Sequence, residues 1–256
     1  MDSVLVIGSG NAFSSSGRAQ ACFLLESRAD RMLLDCGATS LMQMHRLAVD
    51  VDSLDRLLVT HFHGDHIGGI PFLLIHYEYI SRRRQPFEML GPPGLRDAVQ
   101  RLFDAMYAGI ELSFEVRYIE MRENQRQKTG GFTIESIPVS HKPESLGYRI
   151  TGSDGRTFAF SGDTRWCDNL ERLYDGVDVG LIELSLERQP EGGTSHLALD
   201  EVIAKRSSLK ARRLFFSHIY DELAAMVLEF EAKHPGFGRP VTDGTLIDFR
   251  ESETIR

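Results

Sequence analysis

Three histidines and an aspartate are packed into His61-Phe62-His63-Gly64-Asp65-His66, directly after the apolar run Leu57-Leu58-Val59 and just before the pair Gly68-Gly69. No other feature constrains the chain as much. A polar surface loop explains one histidine in a turn, but not four metal-type side chains on one loop leaving a buried strand. Imidazole nitrogens and carboxylates are the ligands that zinc and related borderline metals accept. Without a cation, such a loop would hold several half-desolvated polar atoms lacking partners, which is costly.

The same pattern recurs downstream, where other apolar runs end in a metal-type residue. His141 follows Ile137-Pro138-Val139, Asp163 follows Phe158-Ala159-Phe160, and His218 follows Leu214-Phe215-Phe216. Strand ends along one edge of a layered α/β domain can surround a common crevice. Seven candidate ligands, His61, His63, Asp65, His66, His141, Asp163 and His218, exceed what one tetrahedral ion takes. They suit two divalent ions sharing a carboxylate, with positions left for water and substrate. Zinc is the expected metal, and manganese or iron would be accepted by the same set. His45, His76 and His234 lack this context and read as structural or exposed.

Strand-like runs are expected at 3–7, 21–26, 31–35, 56–60, 86–90, 114–119, 132–139, 146–151, 156–161, 178–184 and 213–217. Helical periodicity is expected at 39–47, 67–83, 94–107, 168–173, 198–208 and 220–233. The mixture predicts helices layered on sheet, in a single domain over residues 1–256, a length that buries a substantial core. Gly8-Ser9-Gly10 follows a strand, but Phe13 stands where a dinucleotide fingerprint needs its third glycine, so this segment reads as a turn.

Three widely spaced cysteines, Cys22, Cys36 and Cys167, make no disulfide framework, and the first two read as buried thiols. This, and a start without a basic, apolar leader, fits a reducing cytoplasm. No window reaches the roughly 20 apolar residues of a membrane helix, so no membrane partner is expected. The formal net charge is −8, and the basic runs Arg82–Arg84 and Lys210–Arg213 are short. This balance disfavours a large nucleic acid as the main substrate.

With HFHGDH followed in order by His141, Asp163 in SGDT and His218 in FFSHIY, the chain resembles the metallo-β-lactamase superfamily. The resemblance implies a four-layer αβ/βα sandwich with metals at one edge. It also implies His61, His63 and His141 on one ion, Asp65, His66 and His218 on the other, and Asp163 as the bridge. The opening GSGNAFSSSGRAQACFLLES, LLDCGATS, FEMLGPPGLRDAV and the aspartate at 163 resemble the ribonuclease Z-like and phosphodiesterase branch. In that branch a glutamate and a histidine at the places of Glu183 and His196 form a pair near the leaving group. The expected function is therefore a phosphodiesterase acting on small or short substrates through a metal-bridging hydroxide. Asp65 would orient or deprotonate the nucleophile, and His196 would be the acid, oriented by Glu183. A tRNA 3′ endonuclease, a thioesterase or lactonase, and a non-catalytic binding scaffold are the alternatives. Against the endonuclease, His196-Leu197-Ala198 replaces the family's His-Ser-Thr, and Lys142 to Gly162 leaves no room for a tRNA-clamping arm. The resemblance also implies a homodimer.

Overall fold

The computed structural model describes residues 1–28 and 30–250. The chain opens with β1 (Ser3–Gly8), β2 (Cys22–Ser27), β3 (Asp30–Leu34), α1 (Ser40–Arg46) and β4 (Arg56–Leu58). There follow α2 (Gly64–Ile67), α3 (Ile70–Tyr79), β5 (Phe87–Gly91), α4 (Leu95–Tyr107) and β6 (Val116–Glu120). The second half holds β7 (Arg126–Thr129), β8 (Phe132–Pro138), β9 (Leu146–Gly152), β10 (Thr157–Phe160), α5 (Asn169–Tyr174) and β11 (Val179–Glu183). It continues through α6 (Leu199–Lys205), β12 (Arg213–Ser217), α7 (Asp221–Lys233), β13 (Arg239–Pro240) and β14 (Leu246–Asp248).

Two seven-stranded mixed sheets result, ordered β14-β1-β2-β3-β4-β5-β6 and β13-β12-β11-β10-β9-β8-β7. Period-two alternation explains how they stack. Phe23, Leu25, Leu34 and Leu58 of the first sheet face Ile134, Tyr148, Phe160 and Leu181 of the second in one buried cluster. The intervening Leu24, Leu33 and Leu57 point the other way, against Met44, Leu73, Tyr77 and Phe103 of the helices. On the far side Ile182 and Phe216 pack against Leu170, Val202 and Val227. Each such side chain contributes about 1.5–3 kcal/mol by leaving water. The product is the expected αβ/βα sandwich.

At the site edge the sheets are also tied by polar bonds. Tyr148 Oη donates to the Val59 carbonyl at 2.7 Å, and the Leu146 amide donates to the Thr60 carbonyl at 3.1 Å. Gly162, with φ of 57°, sits where a Cβ would come 2.7 Å from the Thr60 side chain, so close packing here requires glycine.

Two expectations are corrected. The helix expected over 67–83 begins only at Ile70, as α3, after a break at Gly68-Gly69 that separates it from α2, and ends at Tyr79. The break has a cause in the backbone, because the His66 carbonyl accepts from the Cys36 amide at 2.7 Å and the Gly69 amide donates to the Cys36 carbonyl at 2.8 Å. Backbone groups that would continue a helix are spent on the 36–37 loop. Beyond Tyr79, Arg82 is left-handed and Arg83 lies over the rings of Tyr77 and Phe87, so part of the basic run is packing. The other correction is that β7, β13 and β14 form where no strand is expected. Arg-Gln-Lys-Thr in β7 has no apolar alternation, and its antiparallel partner β8 makes it a strand. Cys22 and Cys36 are buried free thiols, as expected. Among the described residues no helix is long and apolar enough to cross a membrane.

Candidate metal centre

The carboxyl ends of β4, β10, β11 and β12 and the turn after β8 meet at one edge between the sheets. All seven candidate ligands converge there. His61, His63, His141 and Asp163 form one group, and Asp65, His66, His218 and Asp163 a second, with the donor atoms of each group within 4.8 Å of one another. Asp163 is shared. Its Oδ1 lies 3.2 Å from His66 Nε2, and its Oδ2 lies 3.4 Å from His218 Nε2 and 3.9 Å from both His61 Nε2 and His141 Nε2. Asp65 Oδ2 stands 3.2 Å from His218 Nε2 and 3.4 Å from His66 Nε2. His63 presents Nδ1 to the centre, 3.0 Å from His141 Nε2.

These residues fit divalent ions. His61 Nε2 and His66 Nε2 are fully buried with no hydrogen-bond partner, although buried ring nitrogens ordinarily have one. The unpartnered atoms are the ones aimed at the shared carboxylate, and the donor set is all imidazole and carboxylate. Burial, reinforced by the charge of His66, pushes His61 well below the usual histidine range, so it is neutral and its lone pair is available. Asp163 is held well below the usual carboxylate range: burial opposes this, but the charges of His218 and His66 prevail. Protonated histidines thus do for the carboxylates, in the metal-free protein, what cations would do, and metal uptake releases those protons.

Asp35 also belongs to the site, and it too ends an apolar run, Leu33-Leu34-Asp35, although it is not among the seven candidate ligands. It is fully buried and left-handed, with φ of 55°. Asp35 Oδ2 accepts from His66 Nδ1 at 2.7 Å and from Thr60 Oγ1 at 2.8 Å, and Oδ1 accepts from the Thr60 amide at 2.8 Å. A carboxylate only accepts, so the Thr60 hydroxyl must donate to it. That leaves Thr60 Oγ1, at 3.0 Å, to accept from His61 Nδ1. One buried carboxylate therefore turns the Nε2 lone pairs of two histidines toward the centre. Asp35→Ala strands the His66 ring and is expected to cost about 3–5 kcal/mol. Urea unfolding of chelator-treated protein measures this apart from any metal effect, and a midpoint equal to wild type would refute it.

Glu183 is also buried. Its Oε1 accepts from His196 Nδ1 at 3.0 Å and the Thr164 amide at 2.6 Å. The His196 ring lies 4.8 Å from that of His141 and stacks on that of His218 at 5.5 Å. Burial depresses the His196 pKa, but the hydrogen bond and charge of Glu183, then Asp163 and Asp65, raise it to about 9. The Ser195 carbonyl accepts from His141 Nδ1 at 3.0 Å, which docks the loop carrying His196 on the first group. The remaining histidines lie elsewhere: His76 is 3.7 Å from Asp52 and near His45, and His234 stacks on Phe230.

Residues 30–219 match the beta-lactamase superfamily domain. A ribonuclease Z from Methanothermobacter thermautotrophicus is 24% identical, covering 95% of this chain and 94% of that protein. The metallo-beta-lactamase fold protein YhfI from Bacillus subtilis superposes with a TM-score of 0.80 at 21% identity, over 96% of this chain and 99% of that one. A diphosphatase from the PhnP family does so with a TM-score of 0.74 at 20% identity, over 96% and 97%. Both structural likenesses establish the fold.

Proposed function

The chain belongs to the beta-lactamase superfamily and is a metal-dependent hydrolase, and from that premise we propose that it hydrolyses small or short phosphodiesters at a dinuclear zinc centre. His61, His63 and His141 would hold one ion and Asp65, His66 and His218 the other, with Asp163 within reach of both. Divalent ions bound there would supply Lewis acidity, lowering the pKa of water and offsetting negative charge on a phosphate ester. The chain's own groups do the rest. Asp65 orients the attacking water and takes its proton at the carboxylate. Glu183 fixes the His196 ring through Nδ1, so that Nε2–H faces outward as the acid that protonates the departing oxygen.

The observation that carries this reading is the Glu183–His196 pair beside the shared Asp163, 3.9 Å from His196 Nδ1. Thioester or lactone hydrolysis on the same ligands would not need it. The ribonuclease Z relative supports a second reading, tRNA 3′ processing. The net charge of −8 and the short segment between His141 and Asp163 weigh against it. A panel assay of zinc-loaded protein separates the readings. Turnover of bis-p-nitrophenyl phosphate should exceed that of a lactone or a thioester, and a tRNA precursor should be cut poorly. Faster thioester or lactone turnover sinks the phosphodiesterase reading, and accurate 3′ cleavage of the precursor promotes the second.

A further inference from the structure

Glu183, His196 and His218 form a third cluster with metal-ligand spacing, yet it differs from the other two in its hydrogen bonding. Its Nδ1 atoms already have partners. Ser185 Oγ stands between the remaining Glu183 oxygen, Oε2, at 2.7 Å and His218 Nδ1 at 2.8 Å. The His218 carbonyl, a competing acceptor for the hydroxyl, is farther at 3.4 Å. Glu183 can only accept, so the Ser185 hydroxyl donates to it and its oxygen accepts from His218 Nδ1–H. The proton on Nδ1 is thereby held in place, so that when metal uptake removes the proton that Nε2 shares with Asp65 at 3.2 Å, it is the Nε2 lone pair that faces Asp65 and Asp163.

The arrangement repeats the one on the other side of the centre. Asp35 holds His66 directly and His61 through the Thr60 hydroxyl; Glu183 holds His196 directly and His218 through the Ser185 hydroxyl. His218 needs such help, because its backbone is left-handed, with φ of 58°, a conformation that surrounding contacts must hold in a residue with a Cβ. The Ile219 amide, donating to the Ser9 carbonyl at 3.2 Å, pins the backbone but not the ring.

We infer that Ser185 is a positioning residue for the second metal, fixing the tautomer and aim of His218, and that the third cluster is an orienting network and not an ion site. The inference rests on the dinuclear reading. Ser185→Ala leaves the ring free to rotate and to move its proton to Nε2. Loss of an outer hydrogen bond of this kind costs about 10–100-fold in metal affinity.

The test is a stepwise Zn²⁺ titration against a chromophoric chelator. Ser185→Ala should bind the first ion as wild type does and the second about 10–100-fold more weakly, with the metal-free protein still folded and its melting temperature lowered by only a few degrees. Ser185→Thr, which keeps the hydroxyl, should restore the second ion. In ¹⁵N-histidine spectra of the zinc-loaded wild type, the His218 ring, assigned by its absence from His218→Ala, should carry its proton on Nδ1. Equal affinity for both ions in Ser185→Ala, or a wild-type His218 protonated at Nε2, overturns the inference alone. Equal weakening of both ions shows a merely structural role and overturns the inference. A wild type that takes up one Zn²⁺ overturns the dinuclear reading and this inference with it.

Discussion

Asp163→Ala is expected to empty both metal groups at once and to lower turnover by at least about 10³-fold, or ~4 kcal/mol of barrier. The side chain is buried, and its two oxygens are within 3.9 Å of four ring nitrogens drawn from both groups. No other ligand candidate belongs to both. Removing it leaves each group three donors and takes away the one carboxylate common to both. Asp163→Asn keeps the volume, so it separates loss of charge from loss of packing and should lose metal almost as badly. Elemental analysis after reconstitution and desalting reads both variants. Retention of one ion at wild-type affinity would show that Asp163 serves a single group and that the shared-carboxylate assignment is wrong.

His196→Ala is expected to keep both ions, to lower the melting temperature because the buried Glu183 loses its partner, and to lower kcat by about 10²–10⁴-fold, the range for loss of a positioned acid. The loss should depend on the leaving group. A p-nitrophenolate departs without a proton, so bis-p-nitrophenyl phosphate suffers least. An alkoxide, as in a nucleotide diester, suffers most. Glu183→Gln should show a milder version of that selectivity, because the acid survives and only its orientation is disturbed. It should add a smaller loss common to both substrates, because the Thr164 amide and the Ser185 hydroxyl also bond to Glu183. Equal losses on the two leaving groups in His196→Ala would mean that this ring binds the phosphate. Loss of an ion would make it a ligand.

What could be read from the chain and what could not divide along a physical line. HFHGDH was legible because metal ligation demands particular donor atoms at short spacing, and apolar runs ending in His141, Asp163 and His218 were legible because a buried strand must be apolar until it reaches its edge. The unbroken apolar run Cys22-Phe23-Leu24-Leu25 of β2 is buried on both faces for the same reason. Where neither demand operates, reading failed. Nothing in Arg126–Thr129 marks a strand, since its conformation is borrowed from β8 across the turn, and the interruption at Gly68-Gly69 depends on backbone bonds to Cys36.

By itself, then, the sequence determined the kind of donor, the number of candidate ligands and the layered α/β architecture, because these follow from side-chain chemistry and from periodicity, both of which are local. Only the tertiary structure decided which candidate ligands group together, that Asp163 lies in both groups, and that Asp35 and Glu183 each bond to one imidazole directly and reach another through the hydroxyls of Thr60 and Ser185. Those are relations across long stretches of chain, set by strand order and by two left-handed residues, Asp35 and His218, whose angles no pattern of residue types specifies. Serine and threonine are too common for a hydroxyl to signal its role until the carboxylate on one side of it and the ring on the other are seen within hydrogen-bond reach.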